Sequence, residues 1–89
     1  MNKSFLPIGS VVLLEGASKM IMINGYCAVT SSVKDKVFDY RGCPYPEGII
    51  DSEGVALFDD VQIEKVCFEG FRNDESKEFI HKLETIVNK

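Results

Sequence analysis

The sequence predicts an α+β domain with one C-terminal amphipathic helix. Its body is expected to be either a small twisted antiparallel sheet or a partly open β-barrel of about five or six short strands. Short apolar segments rich in β-branched residues alternate with turn residues through the strand-rich body, residues 7–71. Apolar residues then recur at helical spacing within residues 73–88. The chain has 89 residues, the length of a single domain spanning 1–89.

The first apolar segments predict a pair of strands. Residues 10–15 form a short β-branched run that is typical of a buried strand, and residues 16–19 have the composition of a turn. Residues 20–30 predict the second strand, with a bulge or bend at Gly25, so the two strands are expected to form a hairpin. Residues 1–6 are expected to be a loose or lightly docked N-terminal arm.

The middle of the chain predicts one further strand and then a stiff loop. Residues 31–36 are polar and are expected to form a turn, and residues 37–41 alternate with a period of two that places Phe38 and Tyr40 on one face. Residues 42–48 contain two prolines and two glycines, which excludes a helix and a central strand. Further apolar segments at 49–50, 55–58 and 63–71 are expected to form short strands, separated by a turn at 51–54 and by a turn or single helical turn at 59–60.

The C-terminal segment predicts a helix over residues 74–88. Asn73 is a good N-cap, because its side chain can accept a hydrogen bond from the first turn, and Asp74 and Glu75 follow where the helix dipole favours acidic residues. The single histidine, His81, is expected to face solvent, opposite the apolar stripe. That stripe consists of Phe79, Ile80, Leu83, Ile86 and Val87.

Composition and charge exclude several classes of function. The formal net charge is −4, from 10 basic and 14 acidic residues, and there is no basic stripe of the kind that binds nucleic acid. No apolar run approaches the roughly 20 residues of a membrane span, so membrane insertion is not expected. The N-terminus lacks the pattern of a signal peptide, which makes the cytoplasm the expected compartment.

Few residues are of the types that carry catalytic or metal chemistry. Cys27, Cys43 and Cys67 are an odd number of cysteines without a CxxC pair, which argues against a disulfide framework and a zinc site. His81 has no base or ligand partner at helical spacing, and the acidic pair 59–60 lacks the pattern of a calcium loop. We expect no catalytic residues, no metal and no cofactor. A Cys43-dependent enzyme is the alternative, because a cysteine in a Gly/Pro loop can be exposed.

The densest aromatic region surrounds the stiff loop. Two interpretations fit it: core packing of Phe38 beside a rigid loop, or a patch that docks a partner, since tyrosines on stiff loops offer contact area at low entropic cost. As a patch, the candidate partner-binding residues are Phe38, Tyr40, Arg41, Cys43, Pro44, Tyr45 and Pro46.

Several stretches of the chain resemble a known family. They are residues 6–14, 19–25 and 38–48, of which the last is the most specific, together with residues 57–58 and 63–70. In these stretches the sequence is similar to the bacterial domain-of-unknown-function family four-one-seven-six of Gram-positive organisms.

Members of that family are typically encoded beside type VII secretion genes, often near toxins with an LXG domain. The resemblance implies an accessory role, as an adaptor, chaperone or targeting factor that binds a protein partner such as an LXG-type effector, and it brings no catalytic residues. An immunity protein that neutralises a cognate toxin is an alternative, because net acidity suits the masking of a basic surface. A homodimer is also open, since an exposed strand edge can pair with a second copy or accept a partner strand.

Overall fold

The computed structural model describes residues 4–30, 33–51 and 54–88. An α-helix, α1 (Asp74–Val87), follows all the strands in the chain, as predicted, and a short 3-10 helix spans Asp60–Gln62. The strands are β1 (Val11–Leu14), β2 (Ile21–Thr30), β3 (Val33–Pro44), β4 (Ala56–Phe58) and β5 (Ile63–Phe68).

The strands form one five-stranded sheet in the order β4-β3-β2-β1-β5. Neighbouring strands pair antiparallel throughout. β1 to β4 follow one another as a meander, and the chain then crosses from the β4 edge to the β5 edge. The predicted α+β class is confirmed, and the sheet is open rather than closed into a barrel.

β2 has 10 residues, close to the predicted span of 20–30, whereas β3, with 12 residues, is longer than the sequence predicts. Their register shifts twice, at irregularities that increase the twist of a sheet. The predicted turn at residues 31–36 is wrong for residues 33–36, which belong to β3: Val33 pairs with Thr30 of β2, and an irregularity in the register separates this pair from Phe38 and Ala28. Residues 31–32 lie outside the described residues.

The prediction of a loop at residues 42–48 is wrong for residues 42–44, which form the end of β3. Gly42 pairs on both sides, with β2 and with β4. A Cβ atom at Gly42 would lie 2.5 Å from Cγ2 of Ile21, so the glycine is required by close strand packing and not by a turn. Pro44 lies past the last residue of β3 that pairs with β4, at a strand end, where proline is tolerated.

The remaining short segments had mixed outcomes. Ile49 and Ile50 are exposed and belong to no strand, so the prediction of a strand there is wrong; β3 pairs instead with residues 56–58. The helical turn at residues 59–60 is confirmed by the 3-10 helix that begins at Asp60. β5 ends at Phe68, earlier than predicted.

The core lies between one face of the sheet and α1. Phe5 is buried, and its ring meets the rings of Tyr26 and Tyr40 edge-on at centroid distances of 5.6 and 5.7 Å. The expectation of a loose arm is therefore wrong for Phe5 and for Leu6, which packs against the core; residues 1–3 lie outside the described residues. The buried core cluster consists of Phe5, Val12, Ile23, Tyr40, Phe58 and Ile80.

α1 begins after the predicted N-cap, and one face of the helix contributes side chains to the core. The Asn73 side chain accepts a hydrogen bond from the Ser76 N–H at 2.8 Å, which confirms the N-cap. Ile80 is buried, and Leu83 and Val87 pack against the core cluster. These contacts fix the face that α1 turns to the sheet.

The other members of the predicted apolar stripe lie on one flank of α1. Phe79 is 54% exposed and Ile86 is 70% exposed. His81 is exposed, as predicted. No helix in residues 4–30, 33–51 and 54–88 is long and apolar enough to cross a membrane.

Candidate functional site

The structure does not bring the seven predicted partner-binding residues together on one surface. Tyr40 and Cys43 are buried, so they offer no surface to a partner, and their assignment to the docking patch is wrong. Both lie in β3, an inner strand of the sheet, and Tyr40 belongs to the buried core cluster. Of the others, Tyr45 and Pro46 are exposed, and Phe38, Arg41 and Pro44 are partly buried.

Tyr40 has a structural role at the centre of the core. Its ring packs on that of Phe58 with centroids 5.4 Å apart. Its hydroxyl accepts a hydrogen bond from the Leu6 N–H at 3.0 Å and donates one to Oδ1 of Asp60 at 3.3 Å. Burial raises the pKa of Tyr40 far above its ordinary value, so the hydroxyl keeps the proton that it donates.

Phe38 and Arg41 also make contacts within the chain. The ammonium group of Lys36 lies 5.1 Å from the centroid of the Phe38 ring, a cation–π contact. The Arg41 guanidinium donates a hydrogen bond to Oδ1 of Asn24 at 2.9 Å. The Arg41 contact therefore joins β3 to β2, whereas the Phe38 contact lies within β3.

A cluster of three aspartates, Asp39, Asp59 and Asp60, joins β3 to the 3-10 helix through hydrogen bonds. The Asp39 carboxylate accepts a hydrogen bond from the Asp60 N–H at 2.9 Å, and the Asp59 carboxylate accepts one from the Asp39 N–H at 3.1 Å. Lys36 forms an ion pair with Asp59 at 2.7 Å. In the part of the chain that the structure describes, no group of three or more His, Cys, Asp or Glu side chains could hold a metal ion.

An apolar groove of about 490 Å³ lies on the face of the sheet opposite α1. Val11 pairs with Met22 of β2 and with Phe68 of β5, so these side chains stand together on one face of three strands. The adjacent Val12 and Ile23 point to the core on the other face. We call this site the outer-face groove; it is lined by Gly9, Val11, Met20, Met22, Tyr45, Cys67 and Phe68.

The wall of the groove at Tyr45 is held in place by contacts to Met20, the residue before β2, and to the β1–β2 turn. The Tyr45 N–H donates a hydrogen bond to the Met20 carbonyl at 2.9 Å. Lys19 and Glu47 form an exposed ion pair at 2.6 Å, which joins the β1–β2 turn to the turn after β3. The hydrogen bond from Lys19 lowers the pKa of Glu47, so the pair stays charged in mildly acidic solution.

The lining of the outer-face groove suits apolar side chains of another protein. Tyr45 is 43% exposed and Phe68 is 62% exposed, and none of the described residues that line the groove is charged. Methionine side chains are flexible and adapt to different apolar shapes, as Met20 and Met22 can do here. Exposed apolar surface of this kind marks sites of association more often than sites of reaction.

Sequence reasoning identified Tyr45 but missed Met20, Met22 and Phe68. A regular strand would place Phe68 on the same face as Val66. The register of β5 against β1 shifts instead, so Phe68 lines the outer-face groove while Val66 lies on the side of the core, in the depression beside Phe5. Met20 directly precedes β2, Met22 lies at the start of β2 and Phe68 lies at the end of β5, and only the pairing of both strands with β1 brings them together.

The cysteines are distributed over different environments. Cys43 is buried, so the exposed thiol on which a Cys43-dependent reaction would depend is not present. Cys67 is exposed and lines the outer-face groove, and Cys27 is partly buried. All three are free.

The fold and its surfaces define a small α+β domain whose open antiparallel sheet is covered by a helix on one face and carries an apolar groove on the other. The chain belongs to the family described as Domain of unknown function (DUF4176), whose model matches residues 5–79. That match includes all five strands and the first part of α1. Comparison with curated proteins and with solved structures found no match.

Proposed function

We propose that this chain is a non-enzymatic adaptor of type VII secretion, which binds an LXG-type effector in the cytoplasm as a chaperone or targeting factor. The observation that carries the proposal is the outer-face groove, an apolar site with two partly exposed aromatic side chains, Tyr45 and Phe68, at its walls. Aromatic side chains of this kind supply much of the binding energy in protein interfaces. The secretion context rests on the resemblance to the family.

The groove is a better candidate for docking than the edges of the sheet. β4, at one edge, has only three residues, so it offers a short row of backbone groups. β5, at the other edge, has two register shifts against β1, and such irregularities twist an edge away from a partner strand. We therefore infer that the effector is recognised by side chains in the groove and not by strand addition.

The test is the affinity of the purified chain for an LXG-type effector from the same locus, measured by calorimetry. Tyr45→Ala and Phe68→Ala are each expected to weaken binding by about tenfold, which corresponds to about 1.4 kcal/mol. Ile50→Ala is the control, because Ile50 is also a large apolar side chain and is more exposed than Tyr45 and Phe68, but lies outside the groove. Binding that neither groove variant weakens would refute the role of the groove.

Co-expression of the chain with the effector in cells separates export from immunity. An adaptor is expected to raise the stability or export of the effector without restoring growth to cells that contain the active toxin. If the chain restores growth, and Tyr45→Ala abolishes that rescue, the groove belongs to an immunity protein and the adaptor role is wrong.

A further inference from the structure

A second apolar surface lies along α1, on the core side of the sheet. A depression of about 290 Å³ is lined there by Ile8, Tyr26, Phe71 and Phe79, among others. Phe71 is 78% exposed, and Phe79 and Ile86 are more than half exposed. We call Ile8, Phe71, Phe79 and Ile86 the helix-side patch. A set of large apolar side chains left in water on one side of a small domain indicates an interaction surface.

The helix-side patch and the outer-face groove are separated by a crossing of two backbone segments. Gly70 packs so closely on the segment before β1 that a Cβ atom there would lie 2.9 Å from the Ser10 nitrogen. Ile8, on one side of this crossing, lines the depression of the patch, and Gly9 lines the groove. The two surfaces can therefore be occupied at the same time by different segments.

The spacing of the exposed residues on α1 fits a helix as the bound element. Phe79 and Ile86 are seven residues apart, which places them on the same flank of α1 and about 10 Å apart along its axis. The backbone groups within a helix are bonded internally, so this flank offers side chains and no strand edge. A second helix lying along α1 would contact Phe79 and Ile86 at two points that are about two turns apart.

The charges beside the patch favour a basic partner. Glu75 and Glu78 share a shallow depression with Phe79 and Lys82. Lys82 lies 3.9 Å from Glu78, and both side chains are more than 70% exposed, so this pair is weak and readily exchanged. Among the described residues, Glu75 has no ion pair.

Two other cations, Arg72 and Lys77, leave the surroundings of the helix-side patch acidic. Arg72 is paired with Glu69 at 3.3 Å, so these two opposite charges offset each other beside the patch. Lys77 lies on the opposite flank of α1 from Phe79, because two residues of a helix are about 200° apart. We propose that the helix-side patch binds a basic amphipathic helix of a protein partner, which gives the chain a second docking surface beyond the one in the proposed function.

The experiment uses the full chain and a synthetic helical peptide of about 18 residues, or five turns, with leucine on one face and lysine on the other. The comparison peptide has glutamate in place of every lysine. Fluorescence anisotropy of the labelled peptides is expected to give saturable binding of the lysine peptide that weakens at high salt, and at least tenfold weaker binding of the glutamate peptide. Equal binding of the two peptides would refute the charge preference.

Variants locate the binding on the molecule. Phe71→Ala is expected to weaken binding of the lysine peptide by about tenfold, and Glu75→Lys by about threefold or more. Glu15→Lys makes the same change in net charge in the turn after β1, and it is expected to change binding less than twofold. If Glu15→Lys weakens binding as much as Glu75→Lys, or if Phe71→Ala has no effect, the peptide binds through general charge attraction and the proposal is wrong.

Two further measurements distinguish binding at the helix-side patch from binding at the outer-face groove and from formation of a dimer. Tyr45→Ala should leave binding of the lysine peptide unchanged, whereas it should weaken binding of the effector to the groove; the two proposals therefore fail independently. Sedimentation velocity of the chain alone is expected to give a monomer. A dimer that Phe71→Ala dissociates would mean that a second copy covers the patch, which would overturn the assignment of a basic helix.

Discussion

The Tyr40 hydroxyl lies 3.0 Å from the Leu6 nitrogen and accepts its N–H hydrogen bond across 34 residues of sequence. The Tyr26 hydroxyl donates a hydrogen bond of 2.5 Å to the carbonyl of the same residue, Leu6. The N–H and the carbonyl of Leu6 are thus both hydrogen-bonded to side chains of the sheet. In a regular sheet, the backbone of a neighbouring strand would provide these partners. The Phe5 N–H is likewise bonded to the Glu84 carboxylate at 3.0 Å, so the segment before β1 joins the sheet to α1.

Tyr40→Phe is expected to lower the free energy of unfolding by about 1–3 kcal/mol. The ring keeps its packing, but the N–H of Leu6 loses its acceptor while partly buried, and such a loss costs the desolvation of that group. Urea unfolding followed by circular dichroism measures the change. Tyr45→Phe is the control, because Tyr45 is exposed, and it should alter stability by less than about 0.5 kcal/mol. Equal losses for the two variants would contradict this role of Tyr40.

Stability is expected to fall in alkaline solution, beginning near pH 10. Burial raises the pKa of both Tyr26 and Tyr40 above the ordinary value of 10.0. Above pH 10 the unfolded chain loses these protons while the folded chain retains them, so each further rise in pH favours unfolding, up to the folded-state pKa. Thermal unfolding at stepped pH values tests this, and Tyr40→Phe should reduce the slope. A melting temperature that is constant from pH 9 to pH 11 would contradict it.

Gly70→Ala is expected to be among the most damaging single substitutions, with a loss of about 3 kcal/mol or more. A Cβ atom at Gly70 would overlap the Ile8 carbonyl oxygen and lie 2.9 Å from the Ser10 nitrogen, both backbone atoms that cannot turn aside. The Gly70 N–H also donates to Oγ of Ser10 at 2.9 Å. Gly54→Ala is the control, since the nearest atom to its Cβ would be at 3.7 Å. Chemical denaturation of both variants compares them directly, and similar midpoints would refute the close packing at Gly70.

The cysteines are expected to react with iodoacetamide in the order of their exposure. Cys67 is exposed and should be alkylated first in the folded protein, whereas Cys43 is buried and should react only when the chain unfolds. Mass spectrometry of timed digests measures each site, with a sample in urea as the control for intrinsic reactivity. Modification of Cys43 at the rate of Cys67 under native conditions would be inconsistent with its position in β3, and it would restore a Cys43-dependent reaction as an alternative.

The parts of the fold that the sequence predicts well are those with local causes. The N-cap at Asn73 and the apolar spacing that follows it determine α1 without reference to the rest of the chain. Gly42 illustrates the opposite case. Its neighbours in sequence indicate a loop, but it lies in an inner strand, where Ile21 of β2 occupies the space that a side chain would need. Such a requirement comes from tertiary packing and has no signal within a short window of sequence.

The candidate site was predictable only in part for the same reason. Tyr45 stands in a distinctive Pro-rich stretch, so its exposure could be anticipated from its neighbours. Met22 and Phe68 belong to the groove because each pairs with Val11, and the pairing of Phe68 depends on a shift in the register of β5. A shift of one residue moves a side chain to the other face of a sheet, and hydrophobic alternation alone does not reveal where it occurs.

Removal of α1 by ending the chain after Phe71 is expected to abolish cooperative folding. Ile80, Leu83 and Val87 pack against the core, and burial of such side chains contributes about 1.5–3 kcal/mol each, comparable to the whole stability of a small domain. Ile80→Ala in the full chain should cost about 2–5 kcal/mol, while Ile86→Ala, at an exposed position of the same helix, should cost less than about 0.5 kcal/mol. Circular dichroism on heating measures all three. A truncated chain that still melts in a sharp transition would mean that the sheet and the segment before β1 form a sufficient core without the helix.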